Sequence, residues 1–187
     1  MAPEAEWSGV KAKYELPDEY VLYLGRVSKA KVDKLLPYFL RCKAKYGGDA
    51  KLVLVGGFEN EIRKFDSPDI LFTGYVSDEE KTTIVRHATV MVNPSPMESL
   101  SLLMLEGMQS RIPLLVNGRS KVMKDHCCLS GAGLWYNNGR DFRKKLHRLL
   151  SDPELRRTMS EKGPAYVREH YDWEIIIPKL RTLIESI

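Results

Sequence analysis

Glu98 and Glu106 stand eight positions apart in the stretch ESLSLLMLEG, with NPSP close before it. Only leucine, methionine and serine lie between them. Eight residues of helix rise ~12 Å. Glu98 is expected just before the first turn and Glu106 two turns inside an apolar helix. An unpaired buried carboxylate is costly, so Glu106 calls for a ligand or a protein partner. A carboxylate accepts hydrogen bonds from a vicinal diol. A ligand with a diol at each end and phosphates between them suits the spacing, and a nucleotide sugar is such a ligand. The plainer alternatives are a helix cap for Glu98 and a structural partner for Glu106.

Phosphate chemistry has its own candidates. Ser99, Leu100 and Ser101 are expected to open the helix, where free backbone N–H groups and the helix dipole attract an anion. Arg26 and Lys31 follow the first strand and are placed to neutralise it, one as a planar fork and one as a point charge. Plain surface roles for both stay open. His126, Cys127 and Cys128 make a poor tetrahedral set, so they read as packing and no metal is expected. The methionines read as core.

The elements that must position these residues alternate. YVLYLGR (20–26), AKLVLVGG, DILFTGYV, TVMVNPS and IPLLVNG read as buried strands, with GLWYNN a sixth. Between them lie helical patterns. KVDKLLPYFLRCKAKYGG stops at Gly47-Gly48, and SDEEKTTIVRHA opens on a capping box, Ser77 with Glu80. Three helical segments close the chain. Continuous apolar strands alternating with helices predict an α/β fold, a Rossmann-like parallel sheet of about six strands with helices on both faces. Residues 1–19 read as an N-terminal arm or linker and 20–187 as one domain. Ligands of such sheets bind at the carboxyl ends of the strands, here GRVSK, GGFEN, TGYVS, NPSPMES and NGRSK.

Composition excludes several classes. The 187 residues are 43% hydrophobic and 29% charged, a globular balance. No apolar run approaches the ~20 residues of a membrane span, and no signal peptide is read at the start. Three cysteines, two of them adjacent, form no disulfide framework, which points to a reducing cytoplasm. A net charge of +4 suits an anionic ligand or an acidic membrane surface but not nucleic acid by itself. The basic face of DFRKKLHRLL allows peripheral membrane contact, with an ordinary surface helix as the alternative. GGFENE lacks the later glycine of a dinucleotide fingerprint, and NGRSK does not fit a Walker A loop.

ATVMVNPSPMESLSLLMLEGMQSRIPLLVNGR resembles the donor-binding segment of glycosyltransferase family 4, the retaining transferases with the GT-B fold. Glu98 and Glu106 match its E-x7-E motif. YLGRVSKAK, KLVLVGG, ILFTGYVSDEE and the late YDWEIII resemble further family segments in the same order, over roughly residues 20–180. The resemblance implies the carboxyl-terminal, donor-binding half of a GT-B enzyme, with the amino-terminal acceptor-binding half in the same or another chain. It implies that Arg26 and Lys31 contact the diphosphate, with Gly25 in the same loop. Glu98 then lies near the donor sugar and Glu106 holds the ribose hydroxyls. Tyr75 and Val76 meet the nucleobase, largely through backbone, and Ser99, Leu100 and Ser101 meet phosphate. Many members carry Gly-Phe-Gly at those three positions, and many have glycine where this chain has Val32.

The expected function is hexosyl transfer from a UDP-, GDP- or ADP-linked sugar to an acceptor hydroxyl, without a metal or other cofactor. The domain is expected to be inactive without its other half. The alternative is a non-catalytic nucleotide-sugar-binding or partner subunit, and a weaker one is another GT-B enzyme such as an epimerase or phosphorylase.

Overall fold

The computed structural model describes residues 5–59 and 67–186. Among them six strands form one parallel sheet: β1 (Tyr20–Leu24), β2 (Lys51–Val55), β3 (Ile70–Gly74), β4 (Val90–Asn93), β5 (Leu114–Asn117) and β6 (Gly133–Tyr136). Their order is β3-β2-β1-β4-β5-β6. The sheet therefore reverses its direction of winding between β1 and β4, the position where doubly wound sheets open a crevice.

The four inner strands are buried on both faces, and their period of two divides the core. Tyr20, Leu22, Val53 and Val55 join one cluster, with Met91, Met104, Met108 and Val116. Val21, Tyr23, Leu52 and Leu54 join the other, with Leu36, Phe39, Phe142 and Leu146. The first face is covered by α1 (Trp7–Tyr14), α4 (Asp78–Arg86), α5 (Leu102–Gln109), α6 (Lys121–Ser130) and α8 (Pro153–Tyr171). The second is covered chiefly by α3 (Leu35–Tyr46) and α7 (Gly139–Ser151). The short α2 (Lys29–Val32) precedes α3, and α9 (Trp173–Glu185) ends the described chain with no buried residue.

Three features differ from the expectation. Within residues 1–19, α1 is a helix whose Val10 is buried, as is Leu16 after it. It is held to α4 by Trp7 stacked on His87 at 4.0 Å and by Lys13 and Tyr14 on Glu80 at 2.6 and 2.8 Å. The single helix expected through KVDKLLPYF is two, broken at Asp33 and Lys34. Pro37 then falls in the first turn of α3, where no N–H donation is lost. Met97 is exposed, unlike the core methionines.

The capping box forms as expected. Ser77 Oγ accepts from the Glu80 N–H at 3.2 Å, and Glu80 accepts from the Ser77 N–H at 2.9 Å. Gly163 of α8 packs so closely on α5 that a Cβ there would lie 2.5 Å from the Met108 carbonyl oxygen. This contact fixes the element that carries Glu106 from behind.

Candidate functional site

The crevice beside β1 is built from loop backbone. Gly25 and Gly56 end β1 and β2 at φ +136° and +130°, a region that only glycine enters readily. The Gly25 N–H donates to the Val55 carbonyl and the Gly56 N–H to the Gly74 carbonyl, both at 2.9 Å. A Cβ on Gly56 would lie 2.2 Å from the Gly25 oxygen. Beyond the strands, Val27 N–H donates to the Gly57 carbonyl at 2.9 Å and Glu59 N–H to the Val27 carbonyl at 3.1 Å. The two loops are thus stitched together as an extension of the sheet.

A cleft of about 560 Å³ lies over these strand ends. Gly25, Arg26, Tyr75 and Val76 line it, as do Glu59, Lys81 and Leu103. Tyr75 is 86% exposed, yet its ring crosses so close to Gly57 that a Cβ there would meet its hydroxyl at 2.4 Å. The Arg26 side chain is 78% exposed, with Nη2 3.5 Å from Glu59 Oε1.

Glu106 differs from its expectation as a buried carboxylate. It sits on the flank of α5 facing α4, with its side chain 41% exposed and Oε2 3.8 Å from Lys81 Nζ. Water reaches it, so its charge is not stranded. Lys81 also stands 3.4 Å from Asp78, so Glu106 holds only part of that cation.

The helix also opens later than expected. Leu102 is its first residue, and Ser101 caps it at φ +62° without a side-chain cap bond. Ser101 Oγ instead accepts from Asn93 Nδ2 at 3.1 Å, while Asn93 Oδ1 accepts from the Ser95 N–H at 3.0 Å. That side-chain brace explains how a non-glycine residue holds the left-handed turn. Ser99 and Leu100 lie in the bend before the helix, exposed. Glu98, half-buried in the same bend, faces Tyr23. Burial first, and the Glu98 charge second, push the Tyr23 phenol up to about 12. Its hydroxyl therefore stays protonated and donates to the Arg26 carbonyl at 2.9 Å.

Lys31 does not line the cleft with Arg26. It is exposed on α2 and borders a separate pocket over β4, β5 and β6. The structure thus gathers Gly25, Arg26, Tyr75 and Val76 in one cleft, with Glu106 tied to its rim through Lys81. Glu98, Ser99, Leu100 and Ser101 form the adjoining loop. Glu59, Lys81 and Tyr23 were not identified from sequence. Only Lys81 had a usable signal, as the basic residue one turn inside the capping-box helix. Asn60, which closes GGFEN, lies outside the described residues.

No group of three His, Cys, Asp or Glu residues suited to a metal ion occurs among the described residues. His126 is buried with Nδ1 2.9 Å from the Tyr166 hydroxyl, and burial lowers its pKa. Cys42 and Cys127 are buried thiols and Cys128 is exposed. No described helix is long and apolar enough to cross a membrane.

The family model for glycosyl transferases group 1 matches residues 9–166. An alpha-D-kanosaminyltransferase of Streptomyces kanamyceticus is 30% identical over 174 residues, which cover 86% of this chain and 44% of that protein. The curated relatives are matched over 32% to 48% of their own length, so the chain spans less than half of them. HepE of Anabaena, solved with UDP, has the same fold at a TM-score of 0.80 and 14% identity, covering 97% of this chain and 52% of that one. The C-terminal domain of the group 1 protein LpcC of Francisella tularensis was solved alone. It matches with a TM-score of 0.74 and 18% identity, over 91% of this chain and 95% of that one.

Proposed function

For a chain that belongs to the glycosyl transferases group 1 family, we propose the role of nucleotide-sugar-binding domain in a retaining hexosyltransferase of family 4 type. The observation that carries this is the cleft over the carboxyl ends of β1, β2 and β3, walled by Gly25, Gly56, Tyr75 and Val76 and bordered by Leu103 of α5. Backbone reaches the cleft surface there without side chains in the way. That shape suits a flat base beside a diphosphate.

In this proposal the base lies against the Tyr75–Val76 backbone and the ribose diol meets Glu106. The diphosphate lies between Arg26 and the amino end of α5, with Ser99, Leu100 and Ser101 around it. Lys31 approaches from its own side. As the bond to the sugar breaks, negative charge grows on the leaving phosphate. Preorganised cations and N–H dipoles at that point lower the barrier. Charge neutralisation thus falls to side chains and the helix end, with no metal assigned. Glu98 orients the sugar, and the acceptor hydroxyl attacks from the face that the leaving group vacates, passing its proton to the departing phosphate oxygen. The acceptor is bound by a second domain, and a cytoplasmic location belongs to the same proposal.

A non-catalytic binding subunit is the second reading. It rests on the same cleft, which can hold a nucleotide sugar without a bound acceptor. Calorimetric titration with UDP, GDP and ADP, and then with their sugar conjugates, tests the shared premise. Binding of one diphosphate with micromolar affinity is expected. No binding to any of them overturns both readings. Sugar transfer to an acceptor by the 187-residue chain alone would sink the binding-subunit reading and the expected dependence on a second domain.

A further inference from the structure

α3 and α7 cover the second face of the sheet side by side. The Tyr46 ring stacks on His147 at 4.0 Å, the Tyr38 and Phe142 rings meet at 5.7 Å, and the Cys42 thiol donates to the Arg143 carbonyl at 3.6 Å. Helices in such contact lie ~8–10 Å apart. Each buries one face, α3 through Leu36 and Phe39 and α7 through Phe142 and Leu146. The opposite faces form one outer slab.

The charge of that slab has one sign. The two helices hold eight lysines and arginines against one carboxylate, Asp141. The whole chain has a net charge of only +4, so the remainder is net negative. Asp141 is itself taken up by Lys145 at 3.0 Å. Asp152, just past α7, accepts from the Leu155 N–H at 2.9 Å as the cap of α8.

Spacing is an independent observation. Arg140, Lys144 and Arg148 follow one another at four-residue intervals, as do Arg41 and Lys45. All five are exposed, and none has an ion pair among the described residues. Like charges four apart on a helix repel and destabilise it. The next helix, α8, balances its own: Arg157 lies 2.9 Å from Glu154 and 3.1 Å from Glu161. On α3 and α7 the rows stay unbalanced until an anionic surface meets them.

The character of the slab selects that surface. Among the described residues no large apolar side chain of α3 or α7 is exposed, so the apolar core of a stable protein interface is missing. Tyr38 packs against Phe142 and Tyr136, and Tyr46 has His147 at 4.0 Å and the Lys45 ammonium at 5.2 Å. Neither ring is open as a platform for a nucleic-acid base. A broad array of negative charge that needs no pocket and no apolar contact is an anionic lipid surface.

We propose that α3 and α7 form an electrostatic docking face for an anionic bilayer, with Arg41, Lys45, Arg140, Lys144 and Arg148 against the headgroups. Neither helix lines the cleft of Gly25 and Tyr75, so adsorption does not occupy it. The docking face stands independently of the nucleotide-sugar proposal.

Co-sedimentation of the full chain with vesicles tests it. Phosphatidylcholine vesicles are expected to leave the protein in solution, and vesicles with about one third phosphatidylglycerol to bind it. A lysine or arginine close to an anionic leaflet contributes about fivefold to partition. Arg41→Gln with Lys144→Gln and Arg148→Gln should therefore weaken binding by roughly tenfold or more, and ~0.5 M salt should abolish it. These side chains are exposed, so the melting temperature should hold. Arg168→Gln with Lys179→Gln and Arg181→Gln removes the same charge from α8 and α9 and should leave partition nearly unchanged. Absence of binding to the anionic vesicles, equal binding to neutral ones, or persistence in high salt overturns the proposal. So does equal weakening by the two triple variants, or tighter binding to a single-stranded oligonucleotide than to the anionic vesicles.

Discussion

Lys81 Nζ stands 3.8 Å from Glu106 Oε2 and 3.4 Å from Asp78 Oδ1, so the helix after β3 and the helix after β4 share one cation at the rim of the cleft. An ion pair so loose and so wet contributes little to stability, about 0–1 kcal/mol. Glu106→Gln is therefore expected to leave the melting temperature nearly level. If Glu106 accepts from a ribose diol, the amide has one acceptor too few. Loss of a charge-assisted contact costs ~1.5–3 kcal/mol, roughly a 10–100-fold weaker nucleoside diphosphate. Calorimetry beside thermal melting checks both halves. Unchanged affinity would remove Glu106 from the site.

Glu98→Gln is expected to act on the other end of the ligand. UDP should bind almost as before, and the intact nucleotide sugar about tenfold less well. Equal weakening of both would place Glu98 on the diphosphate or in the fold instead.

Arg26→Ala should weaken a nucleoside diphosphate far more than the bare nucleoside, by roughly 10–100-fold for a lost charge-assisted contact. The side chain is exposed and its one ion partner, Glu59, is 3.5 Å away, so the fold should be indifferent. Titration with UDP and with uridine separates the two effects, and equal losses would show that Arg26 does not hold phosphate.

Gly56→Ala tests the loop backbone. The new Cβ would strike the Gly25 oxygen at 2.2 Å, on a backbone at φ +130°. Strained backbone alone costs about 1–3 kcal/mol, and the overlap adds to it. Urea denaturation should show that loss. A stability equal to the parent's would mean that the two loops separate easily.

Glu80 gives a pH prediction. Lys13 first, then the Ser77 N–H and Tyr14, pull its pKa down from 4.5 to about 2. A depressed folded-state pKa stabilises fully above the unfolded value and is lost as pH falls through the folded one. The α1–α4 clamp should thus hold above about pH 4.5 and fail towards pH 2. Glu80→Gln should shrink the drop in melting temperature between about pH 6 and pH 2.5. Lys13 is well exposed, so added salt should shrink it too. An undiminished drop in the variant would assign the acid sensitivity elsewhere.

The sheet was legible because strands buried on both faces read as unbroken apolar runs, as YVLYL and KLVLV do. The α4 start was legible because its capping box lies within four residues. What sequence did not reveal depends on approach between distant segments. Nothing in NPSPMES announces that Asn93 will brace Ser101 in a left-handed turn, so the helix was expected to open too early. Glu106 looked buried because its neighbours in sequence are apolar. Its neighbour in space is Lys81, from another helix. Glu59 escaped notice for the same reason, since its link to Arg26 exists only once two loops are stitched together.

α9 carries Trp173, Ile177, Leu180 and Ile184 in the open and buries no residue. A free-standing helix of this length is marginal in water, and Pro178 lies inside it. Its amide hydrogens should therefore exchange with solvent deuterium long before those of β1 and β4. Whatever slows that exchange, measured residue by residue, will report directly what this helix rests on.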